Sequence, residues 1–232
     1  MSGRLGTGRL VAWASIVGVL ATLGYIGRFS GGELPKEPLY RWDEFVLGLI
    51  QFLFLLGLML AVAWGVSKRE AFALRQPPSW RRAFGIMLVV AVAVVVVVVS
   101  AILEPVLHPD KEQGLAPTRW EPAHAGAFVA NFVVVALLAP VVEELTFRGL
   151  GFTLLERFGR PAAIVLVGLA FGLAHGLVDG LPLLFLFGAG LAYLRSRTKS
   201  VYPGMAVHVL YNSLVLLIAV KFFHTGALRI PS

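Results

Sequence analysis

The amino-acid sequence predicts an all-α fold, a polytopic transmembrane helical bundle of about seven spans. Of its 232 residues, 58% are hydrophobic and only 14% are charged. The mean hydropathy of +0.82 is far above that of a soluble globular domain. Several apolar stretches approach the roughly 20 residues that cross a bilayer as a helix. The short alternating segments of an outer-membrane barrel are not seen, so the spans are predicted to be helices.

Three spans are predicted in the amino-terminal half, at Leu10 to Ile26, about Phe45 to Val66 and about Phe84 to Leu103. Arginines precede the first span and no small-residue cleavage site follows it, so it is interpreted as an uncleaved anchor. The third span contains six consecutive valines at 94–99. Their β-branched side chains are compatible with a helix because a helix satisfies its own backbone in lipid.

Four further spans are predicted in the carboxyl half, at about Ala125 to Leu155, Pro161 to Val178, Leu181 to Leu194 and Val201 to Phe223. The first of these is longer than one bilayer crossing, so only part of it can lie in hydrocarbon. The link Asp179-Gly180 is short enough to make the next two spans a tight helical hairpin.

The spans suggest two parts of the chain and an orientation. Residues 1–123 hold three spans and a polar external loop at about Glu104 to Pro122, and residues 124–232 hold a four-span core. Most Lys and Arg residues fall at the amino terminus or in loops on the same side of the bilayer. The positive-inside rule therefore predicts a multi-pass protein of the cell membrane with a cytoplasmic amino terminus.

Composition also excludes several chemistries. The chain has no cysteine, so it has no disulfide, thiolate nucleophile or thiolate metal ligand. Its net charge of +7 fits basic cytoplasmic loops of a membrane protein, and no nucleic-acid partner is expected. The lipid bilayer is an expected partner.

Three groups of polar side chains lie inside the predicted spans: Glu143, Glu144 and Arg148, then His175, then His208 with Asn212. A rise of about 1.5 Å per residue places Glu144, His175 and His208 roughly 14 to 21 Å from the predicted cytoplasmic turns. Ionisable groups at this depth are costly and generally face the bundle interior or a water-filled cavity.

Glu144 and Arg148 are four residues apart, in the order that favours an ion pair on a helix. Glu143 is turned by about 100° from its neighbour and is expected to point elsewhere, unpaired. Each group also has a structural interpretation. Glu144 and Arg148 can be a structural pair, His175 a core histidine, and His208 with Asn212 an interhelical hydrogen-bonding pair.

Together the groups supply what hydrolysis of an amide requires: a base, a positioning group and donors for an oxyanion. Glu143 can deprotonate a water held jointly with His175. His208 and Asn212 share a helix face and can stabilise the developing charge on the carbonyl oxygen. No serine lies beside a histidine as a competing nucleophile.

At these residues the sequence resembles the CAAX protease and bacteriocin-processing family of intramembrane proteases, which includes the type II CAAX prenyl endopeptidases. Its EExxxR, FxxxH and HxxxN motifs appear here as EELTFR at 143–148, FGLAH at 171–175 and HVLYN at 208–212. The resemblance covers the last four predicted spans and makes residues 124–232 the predicted protease core.

The resemblance implies that Glu143 and His175 activate water, that His208 and Asn212 form the oxyanion site, and that Glu144 and Arg148 support them. Some members are described as metalloproteases, and a zinc ion here would be held by Glu143, His175 and His208. The HExxH spacing of zincins is absent, which favours a reaction with no metal cofactor.

The sequence thus predicts an intramembrane endopeptidase of the glutamate type or, alternatively, a metallo-endopeptidase. Its expected partner is a membrane-associated peptide or protein, of which it hydrolyses a peptide bond. A second hypothesis is a non-catalytic membrane scaffold or immunity protein that uses the same polar cavity for binding. A third is a small transporter with a proton relay, since intramembrane carboxylates mark relays too. A relay has no need of the HxxxN motif.

Overall fold

The computed structural model describes residues 5–30, 37–81 and 120–224, with the backbone alone at 218, 219 and 221–224. Within these ranges the chain is helical and has no β-strand. The predicted third span, Phe84 to Leu103, and nearly all of the predicted loop at Glu104 to Pro122 lie outside the described residues. The predicted all-α bundle is confirmed.

The described helices agree with the six predicted spans that fall on them. They are α1 (Thr7–Phe29), α2 (Trp42–Val62), the short α3 (Lys68–Ala71), α4 (Pro122–Phe158), α5 (Arg160–Ala174), α6 (Leu181–Thr198) and α7 (Tyr202–His224). Among the described residues α1, α2 and α4 are long and apolar enough to cross a membrane, and α5 and Tyr202–Leu217 of α7 are shorter apolar helices. Large apolar side chains such as Leu23 and Phe54 point outward from α1 and α2, which suits a lipid surround.

Two predicted helix ends are wrong. The fifth span was predicted to reach Val178, but α5 ends at Ala174, and Gly176 has a positive φ of 65° that a helix cannot continue through. The sixth was predicted to end at Leu194, before the first charge. Helix α6 continues to Thr198 because Arg195 is buried, with 4% exposure, against the rest of the bundle.

The largest hydrophobic core joins helices from both predicted parts of the chain. Side chains of α1 and α2 pack with those of α4 to α7 in one cluster, which includes Trp13, Val17, Leu55, Met59, Val142, Phe147, Val167, Phe171, Leu191 and Val207. The division at residue 123 stays a prediction, and the amino-terminal helices share the core of the carboxyl half.

Small residues bring α5 and α6 into close contact. A Cβ added to Gly168 would lie 2.9 Å from the backbone nitrogen of Ala189, and one added to Gly188 would lie 3.0 Å from the Cα of Gly168. Backbones approach this closely only where small residues face each other, as in membrane helix pairs. The contact also leaves the Gly188 carbonyl beside α4, where it contributes to the site.

Candidate active site

Helix α4 changes its winding on both sides of Glu143. It is π-helical at Val133–Leu138, α-helical at Ala139–Glu143 and π-helical again at Glu144–Gly151. The wider π turns are rare and recur at functional sites, because they displace side chains and free backbone groups. The predicted site residues of α4 thus lie at a junction that the sequence pattern did not reveal.

Arg148 and Glu144 form a fully buried ion pair. Arg148 Nη1 is 2.9 Å from Glu144 Oε1, and both side chains are 0% exposed. Arg148 Nη2 donates to the Gly188 carbonyl at 3.1 Å, and the guanidinium carbon is 4.2 Å from the centroid of the Phe171 ring. The pair predicted from the spacing of four is therefore present, and α6 contributes an acceptor to it.

Glu144 also holds a histidine of α7. The Nδ1 atom of His208 is 3.2 Å from Glu144 Oε1, the same oxygen that faces Arg148. The other oxygen, Oε2, has no hydrogen-bond partner in the described part of the chain and lies against Gly204, where a Cβ would collide with it. Gly204 thus provides the space that Glu144 occupies.

Glu143 reaches the same histidine from the other side. Its Oε2 is 3.7 Å from His208 Nε2, and its side chain is 15% exposed whereas that of Glu144 is 0% exposed. The prediction that Glu143 is unpaired is therefore wrong. A difference of about 100° on an α-helix assumes one regular helix. Here the winding changes after Glu143, and α7 inserts an imidazole whose two nitrogens meet two different carboxylates.

His175 lies at the carboxyl end of α5. Its Nδ1 is 2.7 Å from the carbonyl oxygen of Phe171, and its side chain is exposed on the surface of the bundle. No hydrogen bond or ion pair joins His175 to Glu143 or His208 in the described part of the chain. The Phe171 ring connects the histidines instead, with its centroid 4.5 Å from that of His175 and 5.8 Å from that of His208.

Asn212 is anchored on α4. Its side-chain nitrogen donates to the Val135 carbonyl at 2.9 Å. In the π stretch, the Ala139 N–H donates to the Val134 carbonyl, five residues back. In the same register the N–H of residue 140 would donate to the Val135 carbonyl, but residue 140 is proline and has no N–H. The amide of Asn212 therefore satisfies a carbonyl that the helix cannot.

Aromatic residues surround His208, and sequence reasoning missed two of them. The Phe187 ring centroid is 5.1 Å from that of His208 and 4.8 Å from that of Tyr211. Tyr211 adjoins Asn212 in the HVLYN motif, which is a signal that could have found it. Phe187 carries no motif, and only the packing of α6 against α7 brings it to the site.

Helix α1 contacts the backbone on both sides of the site. The indole Nε1 of Trp13 donates to the Thr146 carbonyl, inside the second π stretch, at 2.9 Å. Eleven residues later Gly24 packs on Gly176, and the Tyr25 hydroxyl donates to the Leu177 carbonyl at 3.1 Å, just after His175. One helix thus braces the segment after Glu144 and the turn that carries His175.

The geometry does not fit the zinc set that the family alternative would use. Nδ1 of His208 faces Glu144, Nδ1 of His175 faces its own helix, and no contact joins His175 to Glu143. Among the described residues, no three His, Asp or Glu side chains are grouped in a way that could hold a metal ion. The residues present form a carboxylate and imidazole cluster instead.

Comparison with known proteins identifies one family. Residues 125–214 match the family model described as Rce1-like, type II CAAX prenyl endopeptidase. The matched segment runs from the start of α4 into α7 and contains all three motifs. No curated protein and no solved structure matched the chain. The resemblance predicted from the motifs is confirmed over this segment.

Proposed function

Given an Rce1-like segment at residues 125–214 of an apolar, helical integral membrane protein, we propose that this protein is an intramembrane endopeptidase. It hydrolyses a peptide bond of a membrane-associated peptide or protein, and water is the nucleophile. The family match supports a CAAX-type endopeptidase, and the roles of individual side chains are argued below from their contacts.

The observation that carries the proposal is the buried chain Arg148–Glu144–His208–Glu143. Burial of ionisable groups in a membrane is costly unless they are paired, and each carboxylate of this chain faces a basic side chain. Glu143, the last member, is the most exposed of the four, at 15% of its side chain, against 4% for His208 and 0% for Arg148 and Glu144. A substrate carbonyl and a water can therefore reach Glu143, while the other three members hold it in place.

Glu143 is the proposed base. Its carboxylate takes a proton from water as the water oxygen bonds to the carbonyl carbon, and the same proton passes to the amide nitrogen as the C–N bond breaks. His175 is the proposed second contact to the water. Since its Nδ1 faces the Phe171 carbonyl and must carry the proton there, its Nε2 is left as an acceptor that can orient the water.

Asn212 and His208 are the proposed donors to the oxyanion. A side-chain amide has two N–H bonds, and Asn212 uses one of them on the Val135 carbonyl. That contact fixes the direction of the second N–H before substrate binds, which is what electrostatic stabilisation requires. His208 is fixed in the same way, because Glu144 holds its Nδ1.

A cleavage assay with the full-length protein in proteoliposomes tests the proposal. The substrates are a farnesylated CAAX reporter peptide and, in parallel, a membrane extract whose peptides are identified by mass spectrometry. We expect Glu143→Gln and His175→Ala to lower the cleavage rate at least about a hundredfold, the usual contribution of a positioned acid or base.

Matched control variants are Glu70→Gln and His124→Ala, two exposed positions away from the site that should leave the rate unchanged. A binding-only scaffold predicts that the nearly isosteric Glu143→Gln releases the same products as the wild type. Identical peptide products from wild type and Glu143→Gln in both substrate formats would contradict the proposed function.

A further inference from the structure

Arg195 is a buried cation with an unsatisfied donor. The residue is only 4% exposed, and its Nε has no hydrogen-bond partner among the residues that the structure describes. Its guanidinium carbon lies 5.1 Å from the centroid of the Phe152 ring. A cation–π contact offsets only part of the cost of burying a charge, and buried polar groups are otherwise hydrogen-bonded. The active site makes no use of this side chain.

The nearest charges do not neutralise Arg195. Arg75 and Glu156 both act on it electrostatically, with opposite signs. Glu156 is exposed and is already paired with Arg160, at 3.2 Å. The Nε of Arg75 donates to the Lys199 carbonyl at 2.7 Å. The other guanidinium nitrogens of this exposed side chain are available as donors. The two arginines are linked through Lys199, whose carbonyl accepts from Arg75 and whose N–H donates to the Arg195 carbonyl. One guanidinium is buried and one is at the surface.

This pair lies where the helices end. The Lys199 N–H donates to the Arg195 carbonyl at the end of α6. The loop that carries Arg75 follows α2 and α3, and the Val201 N–H donates to the Ala73 carbonyl. Arg9, at the start of α1, donates to the Val62 carbonyl at the end of α2, so the same end of several helices is gathered here. In a bilayer, helix ends lie at the level of the lipid phosphates.

We propose that Arg195 and Arg75 bind the phosphate of an anionic phospholipid. A phosphodiester offers one negative charge and several acceptor oxygens, which match the fork of a guanidinium. Basic pockets between helix ends are the usual sites for such headgroups. The acyl chains of the lipid would lie along the apolar outer faces of the bundle, which a free phosphate could not use.

Native mass spectrometry of the full-length protein in detergent tests this site. The protein is titrated with phosphatidylglycerol and, separately, with phosphatidylcholine of the same acyl chains. We expect the wild type to prefer phosphatidylglycerol at least about tenfold. Arg75→Gln and Arg195→Gln should each remove about a factor of ten of that preference, since a charged hydrogen bond contributes about that much.

Arg69→Gln is the matched control, because it removes the same charge from an exposed residue of α3 and should keep the wild-type preference. If Arg195→Gln does not fold, Arg75→Gln decides alone, since its side chain is exposed. Equal binding of both lipids by the wild type, or an unchanged preference in Arg75→Gln, would overturn the proposal. Displacement of phosphatidylglycerol by millimolar inorganic phosphate would assign the site to a small anion and would overturn it as well.

Discussion

Two adjacent glutamates show how environment assigns different roles to one residue type. Glu144 is fully buried between Arg148 and His208, whereas Glu143 meets the far side of the same imidazole and keeps an exposed edge. We therefore propose that the first carboxylate is structural and orients His208, and that the second meets the substrate. Substitution of each glutamate by glutamine should therefore have a different main consequence, for stability at Glu144 and for cleavage at Glu143.

We expect Glu144→Gln to lower the free energy of unfolding by about 3 to 5 kcal/mol, because it leaves Arg148 as a buried cation with no carboxylate partner. Glu143→Gln should change stability by less than about 1 kcal/mol while it removes cleavage. Denaturant unfolding in detergent, followed by circular dichroism, measures the first quantity. A Glu144→Gln variant as stable as the wild type would show that the pair contributes nothing to folding.

The second prediction at this scale concerns Gly204. A Cβ there would collide with Glu144 Oε2, so Gly204→Ala should displace the carboxylate from His208 and lower both stability and cleavage rate. The expected loss of stability is about 1 to 3 kcal/mol. Gly57→Ala is the matched control, since no atom lies within 4 Å of a Cβ at that position of α2. The interpretation fails if the two alanine variants behave alike.

At the scale of elements, the site depends on irregular helix geometry and on a helix outside the matched segment. The π stretches of α4 flank Glu143, Pro140 leaves the Val135 carbonyl to Asn212, and α1 holds Thr146 and Leu177 from outside. No contact joins His175 directly to Glu143 in the described residues. The distance between His175 and Glu143 is therefore set by the elements that support them. Helix α1 contacts the segments on both sides.

Trp13→Phe should consequently impair catalysis without direct contact to the substrate. It removes the N–H that satisfies the buried Thr146 carbonyl, at an expected cost of about 1 to 3 kcal/mol, and loosens the π stretch. We expect kcat to fall more than KM rises. Trp64→Phe, at a tryptophan 80% exposed, is the control. Equal kcat in Trp13→Phe and wild type would limit α1 to a packing role.

At the scale of the whole molecule, we expect the distribution of basic residues and the apolar helices to set how the protein is oriented in a membrane. The contacts of Arg9 with Val62 and of Arg75 with Lys199 gather basic helix ends on one side. This is the side that the positive-inside rule places in the cytoplasm, together with the amino terminus.

The absence of cysteine allows a direct test of orientation. Single cysteines are introduced as Ser2→Cys and Ser232→Cys and labelled in intact cells with a membrane-impermeant thiol reagent. With seven spans and a cytoplasmic amino terminus, we expect labelling at position 232 alone, and labelling at position 2 only after lysis. Labelling of both or of position 2 alone in intact cells would contradict the predicted topology.

The fold class, the motif residues and the Glu144–Arg148 pair were predictable from the amino-acid sequence, because hydropathy and a spacing of four report local helix geometry directly. The tertiary structure supplied what these local signals do not encode. It placed one imidazole between two carboxylates, gave Glu143 its contact with His208, ended α5 at Ala174 and buried Arg195. Each of these follows from packing between helices far apart in the chain, where a carbonyl, a glycine or a ring from one helix meets a side chain of another.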